Sequence, residues 1–173
     1  ISLLYDEGNA PTRQLRVNGY TGSRFKIRSG VAQGCPLSPL LFLCVAEALT
    51  RAVNANKDIK GVKVGGRQIK ISQFADDTML ILKDVFRSWK AVKRTVQTYC
   101  DASGQAVNID KTEGLLCGTL RGGRGATGIR WCPDGEYIIS LGVPIGHDFN
   151  EEEFWLTKYY KAKARMANWL SVH

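Results

Sequence analysis

The stretch Lys70-Ile71-Ser72-Gln73-Phe74-Ala75-Asp76-Asp77-Thr78-Met79-Leu80-Ile81-Leu82 constrains this chain more than any other. Ile69 and Ile71 alternate with polar neighbours before the two carboxylates, and Met79 to Leu82 form a short apolar run after them. Strand-like runs on both sides of a polar break predict a β-hairpin with Asp76 and Asp77 at or near its turn. Aspartate is a good turn residue, so the pair has a purely structural reading. It also has a chemical one: side-by-side carboxylates repel, and a hard divalent cation relieves that repulsion by taking their oxygens as ligands.

The flanking sequence supplies elements to hold such a hairpin. Arg13 to Asn18 and Arg24 to Arg28, joined through Asn18-Gly19, read as an earlier hairpin. In its second strand Arg24, Lys26 and Arg28 point one way and Phe25 and Ile27 the other. This suits either a half-buried strand with a solvated face or a basic strip laid against phosphates. Ser29 to Pro39 carries two glycines and two prolines and is expected to be a fixed, irregular loop. Ser38 is a good N-cap for a helix from about Pro39 to Ala55, striped by Leu41, Val45, Ala48, Leu49, Ala52 and Val53. Leu40, Phe42, Leu43 and Cys44 widen the stripe, which predicts a first half buried nearly all round. Glu47 and Arg51 form a favourable pair on its wetter side.

Gly65-Gly66 reads as a tight turn before the Asp76-Asp77 hairpin. A second helix is expected over Val85 to Ala102, with Trp89, Val92, Val96, Tyr99 and Cys100 on one face, Lys90, Lys93 and Arg94 on the other, and Gly104 as its stop. Gln105 to Ile109 and Gly114 to Cys117 read as strands around a turn at Asn108-Ile109-Asp110-Lys111. Arg121 to Gly128 reads as a flexible Gly/Arg loop. Tyr137 to Gly146 gives two short strands hinged at Gly142, with Pro144 restricting the second to an edge. Glu151 to Leu170 reads as a third helix, acidic at its start and basic later.

The 173 residues fit one ordinary domain, or one with a small appendage, and 44% hydrophobic content excludes disorder. No apolar run approaches the ~20 residues of a membrane span, and no secretory signal is present. A formal net charge of +8 favours a polyanionic partner. Between Gly8 and Ala46 the charged residues are Arg13, Arg16, Arg24, Lys26 and Arg28, all basic. The five cysteines are scattered with no Cys-x-x-Cys pair, which argues against a zinc site or a disulfide framework. Reduced, mostly buried thiols of an intracellular protein are the expectation.

Taken in order, these residues form a set: Gln33-Gly34-Cys35-Pro36-Leu37-Ser38-Pro39-Leu40-Leu41-Phe42, then Phe74-Ala75-Asp76-Asp77, then Asn108-x-x-Lys111-Thr112-Glu113, then Leu141-Gly142. The set resembles the palm of reverse transcriptases, specifically those of non-LTR (LINE-type) retrotransposons, and runs through essentially the whole chain. Cys35 and the Phe74 variant of the usual tyrosine both occur among LINE-type enzymes. The resemblance implies an α+β fold: a palm-like, mostly antiparallel sheet with two helices packed on one face. Residues 1–148 would be a partial palm and residues 149–173 the start of a thumb helix. It implies an RNA-directed DNA polymerase that uses two Mg²⁺ ions, with Mn²⁺ as an alternative, and takes an RNA template, a DNA primer and dNTPs. Its setting would be intracellular, in the nucleus, with no membrane.

The same resemblance assigns roles. Asp76 and Asp77 match the paired metal-binding aspartates, with Asp76 the more direct ligand. Gln33, Gly34 and Pro36 match the loop against nucleotide and template, where a glycine lets backbone approach closely. Phe74 and Ala75 sit beside the primer terminus and nucleotide. Lys111 matches a lysine that protonates pyrophosphate, though it also reads as an ordinary turn lysine. Leu141 and Gly142 match the primer grip, and Arg24, Lys26 and Arg28 would meet nucleic-acid backbone. The family also carries a third aspartate on an earlier palm strand. Asp6 lies too close to the first hairpin and lacks apolar, aromatic surroundings, so the chain is expected to begin after it. Fingers and most of the thumb would lie outside too, and the isolated polypeptide is expected not to polymerise. Two other readings stand beside this one: a non-catalytic nucleic-acid-binding remnant, and a structural protein whose Asp76-Asp77 is only a turn.

Overall fold

A computed structural model of the chain describes residues 12–27, 30–31, 34–123, 125 and 128–170. The chain divides into two compact units, residues 1–45 and 46–173.

In the first unit, β1 (Thr12–Val17) and β2 (Tyr20–Lys26) form an antiparallel hairpin. Its turn is Asn18-Gly19, as the sequence predicts, with both residues at positive φ. Every residue of both strands is exposed. Of the two readings of the second strand, the half-buried one does not hold, since Phe25 is 46% exposed. Helix α1 (Ser38–Ala55) begins in this unit, one residue earlier than expected. Its first half is not buried all round, because Leu40 and Leu43 are each 59% exposed. Hydrophobic spacing marks a face that can be buried and does not determine what covers it.

In the second unit the buried residues of α1 are Ala46, Leu49 and Val53, while Ala48 and Ala52 face solvent. The Glu47–Arg51 pair forms at 2.9 Å on the wet side, where it adds little to stability. Helix α2 (Val85–Ser103) is delimited as the sequence predicts. Asp84 caps its start by accepting from the Arg87 amide, and Gly104, left-handed at φ 71°, ends it by donating its amide N–H to the Cys100 carbonyl. Leu49, Val53, Ile59, Ala91 and Val92 form the core, with Ile71, Leu80, Leu82, Trp89, Val96 and Tyr99 packed on it. Fully burying Val53 or Ile59 stabilises the unit by about 1.5–3 kcal/mol each.

The strands pair locally. β3 (Val62–Val64) pairs with β4 (Arg67–Ile69), β5 (Ile71–Phe74) with β6 (Asp77–Leu80), and β9 (Tyr137–Ser140) with β10 (Val143–Gly146), all antiparallel. β7 (Glu113–Gly114) and β8 (Arg130–Trp131) form one short parallel pair. The fold is thus mixed α/β, with three helices and short strand pairs; the described strands form five two-stranded ladders, not one continuous sheet. Two ladders are joined by a Gly61–Leu82 bridge, an Ile81 amide bond to the Lys70 carbonyl and a Lys83 amide bond to the Lys60 carbonyl, the last two at 2.8 Å. Gly61 is required at that junction, since a Cβ there would lie 2.1 Å from the Ile69 carbonyl oxygen.

Two further expectations are corrected. Gln105 to Asn108 is not a strand; a 3-10 turn over Ile109–Lys111 follows it, capped by Asn108, whose side chain accepts from the Lys111 amide at 3.2 Å. The cysteines are free but not mostly buried: Cys35, Cys44 and Cys117 are exposed and Cys100 and Cys132 half-buried. Helix α3 (Glu151–Leu170) matches its expected range, with the Asn150 side chain accepting from the Glu153 amide at 3.1 Å. No helix among the described residues is long and apolar enough to cross a membrane.

Candidate active site

The β5–β6 hairpin has a two-residue loop, Ala75-Asp76, closed by the pair Phe74 and Asp77. Directly opposed residues share a face, so the register sorts the hairpin into two sides. Ile71, Gln73, Thr78 and Leu80 lie on one side, and Ile71 and Leu80 pack against the core of α1 and α2. Ser72, Phe74, Asp77 and Met79 lie on the other, which is open, with Phe74 68% exposed. Asp76 sits in the loop at the tip. Ala75 adopts φ 50°, a left-handed conformation that costs a non-glycine residue roughly 1 kcal/mol. The strain sits directly before the two carboxylates.

The inner side is fixed by polar contacts that sequence inspection did not assign to the site. Lys70 is buried, and its Nζ donates to the carbonyls of Asn56 at 2.7 Å, Asn54 at 2.8 Å and Val53 at 3.4 Å. These belong to the end of α1, where carbonyls lack helical partners and a cation is favoured. Burial, with Lys60 adding to it, lowers the Lys70 pKa below the ordinary lysine value. Thr50 Oγ1 also donates to Gln73 Oε1 at 2.5 Å. The available signal was a lone lysine between Ile69 and Ile71, where alternation alone would place it outward.

Among the described residues, neither the Asp76 nor the Asp77 carboxylate enters an ion pair or side-chain hydrogen bond. Both are exposed. Mg²⁺ is usually held by one or two carboxylates, with water and substrate phosphates completing its shell. Two free, adjacent carboxylates fit that requirement as one side of a site. No group of three or more His, Cys, Asp or Glu residues that could hold a metal by itself is present among the described residues.

The other candidate residues fall elsewhere. Lys111 is exposed in the 3-10 turn after α2. Leu141 and Gly142 form the loop of the β9–β10 hairpin, both at positive φ, 51° and 84°, and Leu141 is 57% exposed. Gly142 meets the second position of that turn without a Cβ penalty. Arg24 and Lys26 lie on β2, opposite Gln14 and Thr12, while Arg13 stands opposite Phe25, so cations occupy both faces of that hairpin. Gly34 and Pro36 lie in the loop before α1. There the Leu37 amide and the Ser38 hydroxyl hold the Cys35 thiol below its ordinary range. Gln33 and Arg28 lie outside the described residues. The Gly/Arg loop is tethered where it begins: Arg121 bonds Asp134 at 3.0 Å and also Asp148.

These features define a carboxylate pair on the open turn of a hairpin whose other face packs against the core of α1 and α2. The family model described as "Reverse transcriptase (RNA-dependent DNA polymerase)" matches residues 2–172, and the chain belongs to that family. Its relatives are elements of the non-LTR kind. Over 128 residues, 73% of this chain and 21% of the relative, it is 30% identical to a "Retrovirus-related Pol polyprotein from type-1 retrotransposable element R2" of Popillia japonica. A protein of the same description from Nasonia vitripennis is 41% identical over 73 residues, 42% of this chain and 7% of the relative. A "Transposon TX1 uncharacterized 149 kDa protein" of Xenopus laevis is 30% identical over 92 residues, 53% of this chain and 7% of the relative. The chain thus spans a small part of the length of the relatives it matches.

Proposed function

We propose that this chain is the palm part of an RNA-directed DNA polymerase of a non-LTR retrotransposon, extending a DNA primer on an RNA template in the nucleus. The observation that carries the reading is the pair Asp76 and Asp77, exposed on the open turn of a hairpin braced by α1, in a chain of reverse-transcriptase family. When bound there, Mg²⁺ or Mn²⁺ supplies Lewis acidity toward the primer 3′-hydroxyl and charge neutralisation at the leaving pyrophosphate. Asp76 and Asp77 would hold the cations, Asp76 more directly because it stands at the tip. Phe74 shares the open face with Asp77 and offers an apolar surface to the primer terminus, and Ala75 leaves room for the nucleotide beside it.

Gln33, Gly34 and Pro36 would line the nucleotide and template, and Leu141 and Gly142 would grip the primer through the exposed β9–β10 turn. Lys111, whose ammonium is exposed, would donate a proton to pyrophosphate. Arg24, Lys26 and Arg28 would follow nucleic-acid backbone, with α3 as the entry to the thumb. The 173-residue chain is expected not to extend a primer alone, because two carboxylates bind Mg²⁺ weakly without further ligands. The test joins this chain behind the N-terminal polymerase segment of an R2-type relative and assays primer extension on RNA, beside the D76N/D77N pair. Loss of extension with folding retained supports catalysis, and unchanged extension removes the metal-site reading. Extension by the isolated chain contradicts its expected inactivity.

A further inference from the structure

A groove of about 1130 Å³ opens in the second unit, away from the hairpin tip, and none of residues 74–78 lines it. Its walls are the segment before and within β3, the end of the Leu82–Asp84 connection, the first turns of α2, and Thr119-Leu120. Six cations line it: Lys60, Lys63, Lys83, Arg87, Lys90 and Arg94. Two carboxylates, Asp58 and Asp84, oppose them, and Asp84 is engaged as the α2 cap and with Arg87 at 3.4 Å. Arg87, Lys90 and Arg94 recur at helical spacing along one face of α2, so their charges line up along the groove instead of scattering. Phe86 stands among them, 56% exposed.

A row of cations with an exposed aromatic ring between them is the chemistry that recognises a single strand: the cations follow phosphates and the ring stacks a base. An acidic peptide would use the cations and leave Phe86 without a matching group. We infer that this groove is a second nucleic-acid site, separate from the Asp76-Asp77 hairpin, that holds a single-stranded segment by its phosphodiester backbone with one base stacked on Phe86. Its formation requires no divalent cation and no nucleotide, so it stands or falls independently of catalysis.

The test measures fluorescence anisotropy of labelled oligouridylate and oligothymidylate on the purified 173-residue chain, in a metal chelator, across a range of KCl concentrations. The variant K60Q/K63Q/K90Q/R94Q is compared with the charge-matched α3 variant K158Q/K161Q/K163Q/R165Q, with circular dichroism confirming folding in both. The groove variant is expected to flatten the slope of log affinity against log salt by about 3, since each lost contact to a single strand removes roughly 0.7. The α3 variant is expected to change it by less than about 1. F86A should weaken binding about tenfold with the salt slope unchanged, as loss of one stacked base does. On the unsubstituted chain, photo-cross-linking of thiouridine-bearing RNA should map to residues 83–94, which keeps the test decisive if the groove variant misfolds. Equal loss in the two charge variants, cross-links elsewhere, unaltered binding by F86A, preference for duplex DNA, or equal groove-dependent binding of polyglutamate each overturns the inference.

Discussion

Replacing Lys70 by methionine tests how the aspartate hairpin is held to the helices behind it. The ammonium gives two short bonds to the end of α1, 2.7 Å to Asn56 and 2.8 Å to Asn54, and a long one of 3.4 Å to Val53. Each short bond contributes about 1 kcal/mol net, and the long one little. A cation at a helix C-terminus adds about 0.3–1 kcal/mol. Against this stands the desolvation of the ammonium, visible as its lowered pKa. Methionine is one atom shorter and leaves little cavity, so K70M is expected to lose about 2 kcal/mol through unsatisfied carbonyls. Urea unfolding followed by circular dichroism should show a lower midpoint at unchanged m-value. Amide exchange across Ile71–Leu80 should quicken in parallel. A K70M chain as stable as the parent, or more so, would refute the reasoning, because burying the charge would then cost more than its bonds return.

The same residue predicts a pH dependence. Its folded pKa lies below the unfolded value, which is about 10.4. Across the window between the two, the unfolded chain binds the extra proton, so stability rises with pH. The contribution is fully present above the unfolded pKa and is lost as pH falls through the folded one. Unfolding curves of parent minus K70M, taken across the alkaline range, should therefore diverge in favour of the parent as pH rises; a flat difference contradicts the lowered pKa.

Three further substitutions probe the frame. G61A places a Cβ 2.1 Å from the Ile69 carbonyl and should cost about 3 kcal/mol in chemical denaturation. A75G relieves about 1 kcal/mol of left-handed strain but loosens the unfolded chain by about 0.4–1 kcal/mol, so it should stabilise by no more than about 0.5 kcal/mol in urea unfolding. D84A removes the α2 cap and should cost about 1 kcal/mol, with the first turn of α2 exchanging amide protons faster.

Local signals carried much of this fold. Asp84 and Gly104 bracket α2, Glu151–Glu153 opens α3, and Asn18-Gly19 and Leu141-Gly142 sit at hairpin turns because each rests on contacts between near neighbours. The Asp76-Asp77 turn was legible for the same reason. What depends on distant partners was not. The expected stripe of α1 places Leu49 and Val53 correctly, but nothing in Ala48 or Ala52 says that they face solvent while Ala46 is buried. Gln105 to Asn108 pairs with no strand among the described residues and stays irregular. Lys70 reads as an outward lysine until α1 brings three carbonyls to it. The separation of strands into local pairs likewise depends on long-range partners.

The central claim is that Asp76 and Asp77 hold a divalent cation on the open face of their hairpin. Titrating Mn²⁺ into the isotopically labelled 173-residue chain and reading paramagnetic broadening of its amide resonances tests this most directly. Broadening is expected to centre on Phe74–Thr78, to be sharpened by added dNTP and to be abolished in D76N/D77N with the fold unchanged. Broadening centred elsewhere, or unchanged in D76N/D77N, would contradict it.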